Sequence, residues 1–591
     1  VHLHGSISVW PIFLGCLSAL LLLSGAEDLV PTIICIWNRL IRKRSHRPAP
    51  QAVTERRIAI FVPCWKESAV IGNMIRHNVA SIWYRNYDFF LGVYPNDAAT
   101  MDVAHQLSAN FRRVHVAACP HPGPTSKADC LNWIFHRMVA YEQENGVHFD
   151  TVVLHDAEDL IHPQALGAIN RERAHYDMVQ VPVLPLPTPF GEFTHGVYCD
   201  DFSEYQYVDM PARQFCRAFI PSNGVGTGFA REVLDRLAAE RDNVVFDPAS
   251  LTEDYEIGVY IHNQGYRQLF WPLTAISNEF CATREYFPRR ARSAIRQRTR
   301  WVTGIALQSW ARDGWRGSWL CKYWFWRDRK GLLANPLSLF TNLLLLAGLW
   351  DWVLAAIQHR PWAFAVSNPL VLRLCLANSC MQAFRLCLRT FYTSHVYGLR
   401  LGAGVPLRAL YGNFINCAAS LGALWQYAQA RYHRRPLVWL KTDHAYPGRD
   451  SVTPNPQNLG DLLVEGSYLP AATIREIREE LQSDNFLAEL LLARGLISDK
   501  SLCSALSLQS GVPFSHIDSR YVNSRVARTL PRFIAARYEV VPFAVESGRL
   551  CVAGASVPAT GMYEEIKRCT PLPVEFHLIT QHNYDELRRL L

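Results

Sequence analysis

Charge is scarce in this sequence. Only 19% of its 591 residues are Asp, Glu, Lys or Arg, against 49% that are hydrophobic. The chain is greasier than an average soluble protein and too polar to live wholly in lipid, so a soluble body with a few membrane spans fits. No Cys-x-x-Cys pair occurs among the 16 cysteines. That leaves a zinc or disulfide framework with little support and makes scattered, reduced, structural thiols the default. No Gly-rich loop ending in Lys-Ser or Lys-Thr occurs either, which removes the phosphate cradle of a phosphotransferase. The net charge of +8 is a modest excess and gives no case for nucleic acid as a partner. The chain is too long for one core and is expected to divide into three or four structural units.

From Gly5 to Ala26 charge is absent altogether, over a stretch long enough to span a bilayer. "LLLSGA" before Glu27 also reads as a signal-peptide cleavage site. No basic region precedes it, however, and a second apolar run, Val30 to Trp37, follows. Arg39, Arg42, Lys43 and Arg44 then place what comes next in the cytoplasm by the positive-inside rule. Further spans are expected at 335–357 and 363–384, the second with Arg373 turned to a cavity or a partner rather than to lipid. Residues 412–435 mix polar and apolar positions and read as an amphipathic interfacial helix. Two spans after the soluble body return the C-terminus to the cytoplasm; a third leaves it outside.

Between these zones short apolar runs alternate with helical patterns, which predicts an α/β sheet layered with helices. "RRIAIFVPCWKES", "DFFLGVYPNDAAT" and "TVVLHDAED" each end a buried strand in an acid: Glu67, Asp97 and Asp156. The C-terminal edge of such a sheet is where ligands bind. Any one of these acids also reads as a helix N-cap. Asp156 and Glu158 together suit a hard divalent cation, Mg²⁺ or Mn²⁺, with Asp159 expected to cap the helix that begins near His162. "SLTEDYEIG" adds Glu253, Asp254 and Glu256 at a helix start, where capping alone is the plainer reading. Arg289, Arg292, Arg296 and Arg300 fall on roughly one helical face, either a solvated stripe or an anion clamp over a diphosphate.

These pieces have a familiar order. "FVPCWKE", "YPNDAAT", "TSKADCLNW", "HDAED", "NGVGTGF", "LTEDYEIG" and "QRTRW", between residues 58 and 304, resemble the membrane-bound family 2 glycosyltransferases, which include the cellulose and hyaluronan synthases. "LHDAEDLIHP" and "PLVWLKTDHAYP" narrow the resemblance to the phage adsorption protein B group of bacterial inner-membrane glycosyltransferases. The resemblance implies a GT-A-type α/β domain flanked by transmembrane helices, and a nucleotide sugar, UDP-linked, as donor. It implies that Glu67, Asp97, Lys127 and Asp156 bind that donor and that Asp156 and Glu158 hold the metal. Glu158 stands where the family more often has Asp, which keeps the charge and lengthens the reach. Asp254 matches the general base. Gln297, Arg298, Arg300 and Trp301 match the element that grips diphosphate and acceptor, and Gly226, Thr227 and Gly228 resemble the acceptor-side loop. A growing polysaccharide is the implied acceptor, inverting and processive transfer the implied reaction, and a periplasmic or outer-membrane export component the implied partner. The product is then a polysaccharide that a phage recognises. The competing reading is a non-catalytic membrane scaffold that kept the fold, although a scaffold has no need of Asp254.

Residues 458–482 and 486–509 look like a duplicated helical unit, and with the tail that follows they resemble the MshEN domain, which binds cyclic di-GMP. The resemblance offers Leu459, Gly460, Leu487, Gly495 and Gln509 as contacts. Asn458 and Phe486 stand where the domain's repeats open with Arg, which removes two phosphate- or guanine-directed donors. A domain kept for structure or docking is the other reading. The expected organisation is a membrane segment with its basic flank (1–48), a catalytic domain (55–312), membrane and interfacial helices (313–435), a linker (436–457) and a helical and α+β regulatory domain (458–591). The protein is expected in the bacterial inner membrane, with the catalytic and C-terminal domains cytoplasmic.

Overall fold

The computed structural model describes residues 9–42, 54–434 apart from 274, 277–278 and 365–367, residue 437, and 459–590 apart from 461–462, 464–468, 481–486, 511, 547–548 and 559–560. The expected linker lies outside the described residues but for position 437, and so do Asn458 and Phe486. The chain forms two compact units, residues 1–71 with 86–446, and residues 72–85 with 447–591.

In chain order, helix α1 (Val9–Arg42) is followed by β1 (Ile58–Pro63), α2 (Ile71–Ser81), β2 (Tyr87–Val93), α3 (Ala98–Asn110), β3 (Val114–Ala118), α4 (Lys127–Asn145) and β4 (Thr151–Leu154), all in the first unit except α2, which falls in the second from Gly72 on. Then come α5 (Ala165–Glu172), β5 (Met178–Gln180), β6 (Val183–Pro185), α6 (Phe193–Glu204), α7 (Met210–Phe215), β7 (Thr227–Ala230), α8 (Arg231–Glu240), α9 (Glu253–Asn263) and β8 (Gln268–Phe270). Seven strands make one sheet in the order β3-β2-β1-β4-β7-β5-β8, parallel except for β7. "YDFFLGV" is buried at every position and "IAIFVP" at all but the last, as strands covered on both faces must be. The strand order reverses direction between β1 and β4, and the loops that leave this switch point carry Glu67 on one side and Asp156 on the other.

Short pairs β9 (Ala275–Ile276) with β10 (Glu279–Phe280), and β6 with β11 (Thr283–Glu285), lead into α10 (Ala291–Val302). A π-helical stretch, Thr303–Gln308, continues into α11 (Ser309–Asp313). Helices α12 (Trp319–Ile357), α13 (Pro369–Tyr397), α14 (Leu399–Gly402) and α15 (Val405–Tyr432) complete the unit. Among the described residues three helices, α1, α12 and α13, are long and apolar enough to cross a membrane. Helix α15 is not among them; it packs along α10, α6 and α12 and buries Ile415, Ala419 and Ala423.

Two helices run further than the apolar stretches alone suggest. The first apolar stretch does not stop at Glu27, because α1 runs unbroken through Glu27, Asp28 and Pro31. The two acids are matched by later helices. Arg327 lies 2.9 Å from Glu27, Arg385 lies 2.6 Å from Asp28, and Lys330 touches both. Helix α12 starts at Trp319, ahead of the expected span 335–357 that it contains. The first turns of α12 bury Trp324 and Phe325 against Phe219 and Tyr255 of the soluble body, so one helix is both core and span.

The second unit has a three-stranded sheet, β12 (Val540–Glu546), β13 (Arg549–Gly554) and β14 (Val574–Leu578), around a core that includes Val540, Val552, Ile566 and Phe576. Its helical half packs Leu463, Ile474, Ile477, Leu491 and Leu502 together.

Candidate active site

The acidic turn after β4 is closed by its own residues. The His155 Nδ1 lies 2.7 Å from Asp159 Oδ2, which also accepts the Asp156 backbone N–H at 3.0 Å. Both side chains are buried. Burial, with Asp156 and Glu158 nearby, pushes the Asp159 carboxyl well up, and burial pushes the His155 imidazole down to about 3. Burial of both groups disfavours an ion pair at this contact. Asp159 does not cap the next helix, as the sequence suggested. That helix, α5, starts at Ala165 behind Gln164 with no side-chain cap. Asp159 instead clamps the turn, so that Asp156 and Glu158 line the cleft.

Lys127 opens α4 behind the cap Ser126, whose hydroxyl accepts from the Asp129 N–H. Its ammonium sits 2.5 Å from Asp156 and 3.5 Å from the carbonyl of Gly224. Burial alone would lower its pKa; Asp156, Glu253 and Asp254 outweigh that and raise it, so it stays charged. Glu253 and Asp254 occupy the first turn of α9, where carboxylates complement the helix dipole. Burial, then Asp254, pushes Glu253 up to about 7, against Lys127. Burial likewise raises Asp254. Gly224, with φ +76°, comes so close that a Cβ there would lie 2.6 Å from Asp254 Oδ2. Sequence reasoning passed over this glycine, although "NGVG" holds two glycines of positive φ.

The turn that carries Asp254 is braced from the far side of the chain. Gln308 accepts the Leu251 N–H at 3.0 Å and donates to the Ala249 carbonyl at 3.1 Å. A Cβ on Gly304 would strike Thr252 at 2.3 Å. Asp328 of α12 accepts the Tyr255 hydroxyl at 2.8 Å and pairs with Arg213. A membrane helix thus holds the residue next to Asp254.

The expected residues do not all meet. Glu67, Lys127, Asp156, Glu158 and Arg300 line one cleft, with Trp65 and Tyr94 on its wall. Asp97 is engaged by backbone instead, accepting the Lys66 N–H at 2.5 Å and the Thr100 N–H at 3.4 Å as the cap of α3. Gly226 sits just before β7, and Thr227 and Gly228 are in it, buried rather than on a loop; Thr227 donates to Gln180 at 2.6 Å. Of the arginine face, Arg292 and Arg296 are exposed, Arg289 pairs with Glu192, and Arg300 alone among the four lines the cleft. Arg298 turns away, 2.7 Å from Asp201, 2.6 Å from Asn416 and over the Tyr198 ring. Gln297 accepts the Tyr198 hydroxyl, and Trp301 packs against Tyr198, Phe202 and Phe287.

Residues 56–304 match the family model for glycosyltransferase like family 2, and residues 510–591 match the MshEN domain. Bacteriophage adsorption protein B of Escherichia coli strain K12 is 32% identical over 564 residues, spanning 91% of this chain and 75% of that protein. The chain belongs to the phage adsorption protein B family. Its catalytic unit is a family 2 glycosyltransferase. Bacteriophage N4 adsorption protein B of Escherichia coli O157:H7 matches to the same extent, 32% identical over 91% of this chain and 75% of that one. Among solved structures, a mannosyltransferase from Pyrobaculum calidifontis in complex with GDP-Man and Mn²⁺ is 18% identical, with a TM-score of 0.44, over 70% of this chain and 99% of that one. MshE with cdg is 22% identical, with a TM-score of 0.21, over 23% of this chain and 99% of that one.

In the MshEN part of this adsorption protein B relative, Leu459 and Leu487 are buried in the helical core, and Gly460 is buried beside Leu459. Gly495 turns the chain at φ +64° with open space around it, and Gln509 is half-buried at the end of its helix.

Proposed function

We propose that this family member is a processive, inverting glycosyltransferase of the bacterial inner membrane, extending an exopolysaccharide from a UDP-sugar. One observation carries the reading. Lys127 bridges Asp156, on the donor side, to the loop of Gly224, against which Asp254 lies. Asp254 takes the proton from the acceptor hydroxyl as it attacks the anomeric carbon, and a single displacement inverts that carbon. Lys127 and Arg300 hold positive charge where the diphosphate leaves.

The residues fit a divalent cation. Asp156 and Glu158 line the cleft beside two cationic groups, a pattern that suits Mg²⁺ or Mn²⁺ held by two carboxylates and completed by substrate phosphates. Among the described residues no three acidic, His or Cys side chains converge on one point, so the phosphates would be part of the coordination. When bound, such an ion neutralises charge on the leaving diphosphate.

Arg39 and Arg42 at the end of α1 favour a cytoplasmic catalytic unit, and spans α12 and α13 then return the MshEN domain to the same side. Cyclic di-GMP is its proposed regulator. An export component beyond the inner membrane would receive the polymer, and that polymer would serve as a phage receptor. Purified protein with Mg²⁺ or Mn²⁺ and a panel of nucleotide sugars should release nucleoside diphosphate, and Asp254→Asn should abolish release. Undiminished release by that variant would refute the assigned base. Titration calorimetry of the full chain with cyclic di-GMP tests the regulator.

A further inference from the structure

A second cavity, of about 290 Å³, lies at the other end of the strands. Its wall comes from residues that precede β1, β5 and β8 (Arg56, Asp177 and Arg267) and from Ala230 at the end of the reversed strand β7. The active-site cleft is built from residues that follow β1 and β4. The two openings share no residue and stand apart by at least the length of β4, about 13 Å.

The second cavity is made for an anion. Four arginines line it, Arg56, Arg173, Arg236 and Arg267, against two carboxylates, Asp177 and Glu232. Asp177 already accepts the Arg267 backbone N–H at 2.8 Å. The Glu232 side chain is 80% exposed and no nearer than 3.8 Å to Arg173. Arg173 is the buried member, with a side chain 6% exposed. It donates to its neighbour Tyr176's carbonyl, and its Nε has no hydrogen-bond partner among the described residues. Neither Arg236 nor Arg267 forms an ion pair among the described residues; Arg236 lies over the Tyr266 ring. Helix α8 also starts at this wall. Ala230 in its cap position offers no side-chain acceptor, so the first-turn N–H groups at Glu232 and Val233 add a partial positive charge. A buried guanidinium short of acceptors is costly, and a phosphate group supplies several acceptors in the geometry an arginine fork prefers.

We propose that this cavity is a second anion site that takes a phosphate group, carried by a soluble phosphorylated compound or by a lipid headgroup, with Arg173 at its base and Arg236 and Arg267 at its rim. The site is separate from the nucleotide-sugar cleft, and its occupancy is read by binding rather than by turnover.

The test uses full-length protein in neutral-lipid nanodiscs, radiolabelled inorganic phosphate, and saturating UDP to fill the active-site cleft. Saturable binding that persists under UDP is expected. The double variant Arg236→Gln/Arg267→Gln changes only exposed side chains and should weaken phosphate binding by about tenfold or more, the loss expected for two charge-assisted contacts, while UDP binding is unchanged. Nanodiscs that contain phosphatidic acid distinguish the sources: displacement of phosphate assigns the site to a lipid headgroup, and its absence to a soluble ligand. Three results would overturn the site: no saturable binding, binding that UDP abolishes, or binding unaltered in the double variant.

Discussion

The Lys127 ammonium lies 2.5 Å from a carboxylate oxygen of Asp156. The same lysine lowers the pKa of Glu253 and Asp254, so one cation acts on both the proposed metal pair and the proposed base. Replacing it by Met should lower kcat/KM by about a hundredfold, in line with the loss of one preorganised charge in a water-poor site. Steady-state kinetics with the preferred donor would measure this. A variant within threefold of wild type would mean that the lysine is only structural.

Gly224 tolerates no side chain. Alanine there meets Asp254 Oδ2 at 2.6 Å and is held at φ +76°, a region that L residues avoid. Gly224→Ala should displace the base and lower kcat by about a hundredfold, the usual consequence of a misplacement near 1 Å. Donor affinity, measured by nucleotide binding, should change little because Gly224 does not line the donor cleft.

The Glu253–Asp254 pair sets a pH limit. Burial and the Asp254 charge push Glu253 up to about 7. The proposed base must be deprotonated to act, and burial raises the Asp254 carboxyl, so kcat/KM should fall on the acid side at a higher pH than an ordinary carboxylate would give, with an apparent pKa that belongs to the pair. Glu253→Gln removes one of two like charges and should move that acid limb to lower pH. A pH–rate profile of both proteins reads the shift; an unmoved limb would detach it from this pair.

Asp201 is shared by two cations on different helices, Arg298 of α10 and Arg389 of α13. Asp201→Ala leaves both half-buried guanidinium groups without it. A loss of about 1–2 kcal/mol is expected, less than for a fully buried pair because Asp201 is 27% exposed. A lower thermal midpoint in detergent would show it. The buried Arg408–Asp200 pair, with two contacts of 2.8 Å, should cost more when broken, about 3 kcal/mol for Arg408→Met.

Local features of the sequence told the truth about local structure. The apolar runs of β1, β2 and β4 became buried strands, and the acids after β1 and β4 reached one cleft. Errors arose where the deciding partner was distant. Arg298 looked like a diphosphate ligand because it lies within the matched element of Gln297, Arg300 and Trp301; only the fold brings Asp201 and Asn416 to it. Asp159 looked like a helix cap because the bond to His155 depends on both being buried, which the string of letters does not show. Gly226 to Gly228 looked like a loop, yet Thr227 and Gly228 pair with β4 and β5 as a strand.

The acids inside α1 set an order of events during synthesis. Asp28 and its partner Arg327 are separated by 299 residues. At about 5–20 residues per second, roughly 15–60 s pass between the emergence of the two. Throughout that interval the first helix carries two carboxylates whose counter-charges do not yet exist; they are matched only once α12 and α13 have been made. A chain that ends before Trp319 never reaches that point. It should be degraded in cells that accumulate the full-length protein, a difference that a pulse–chase experiment would display.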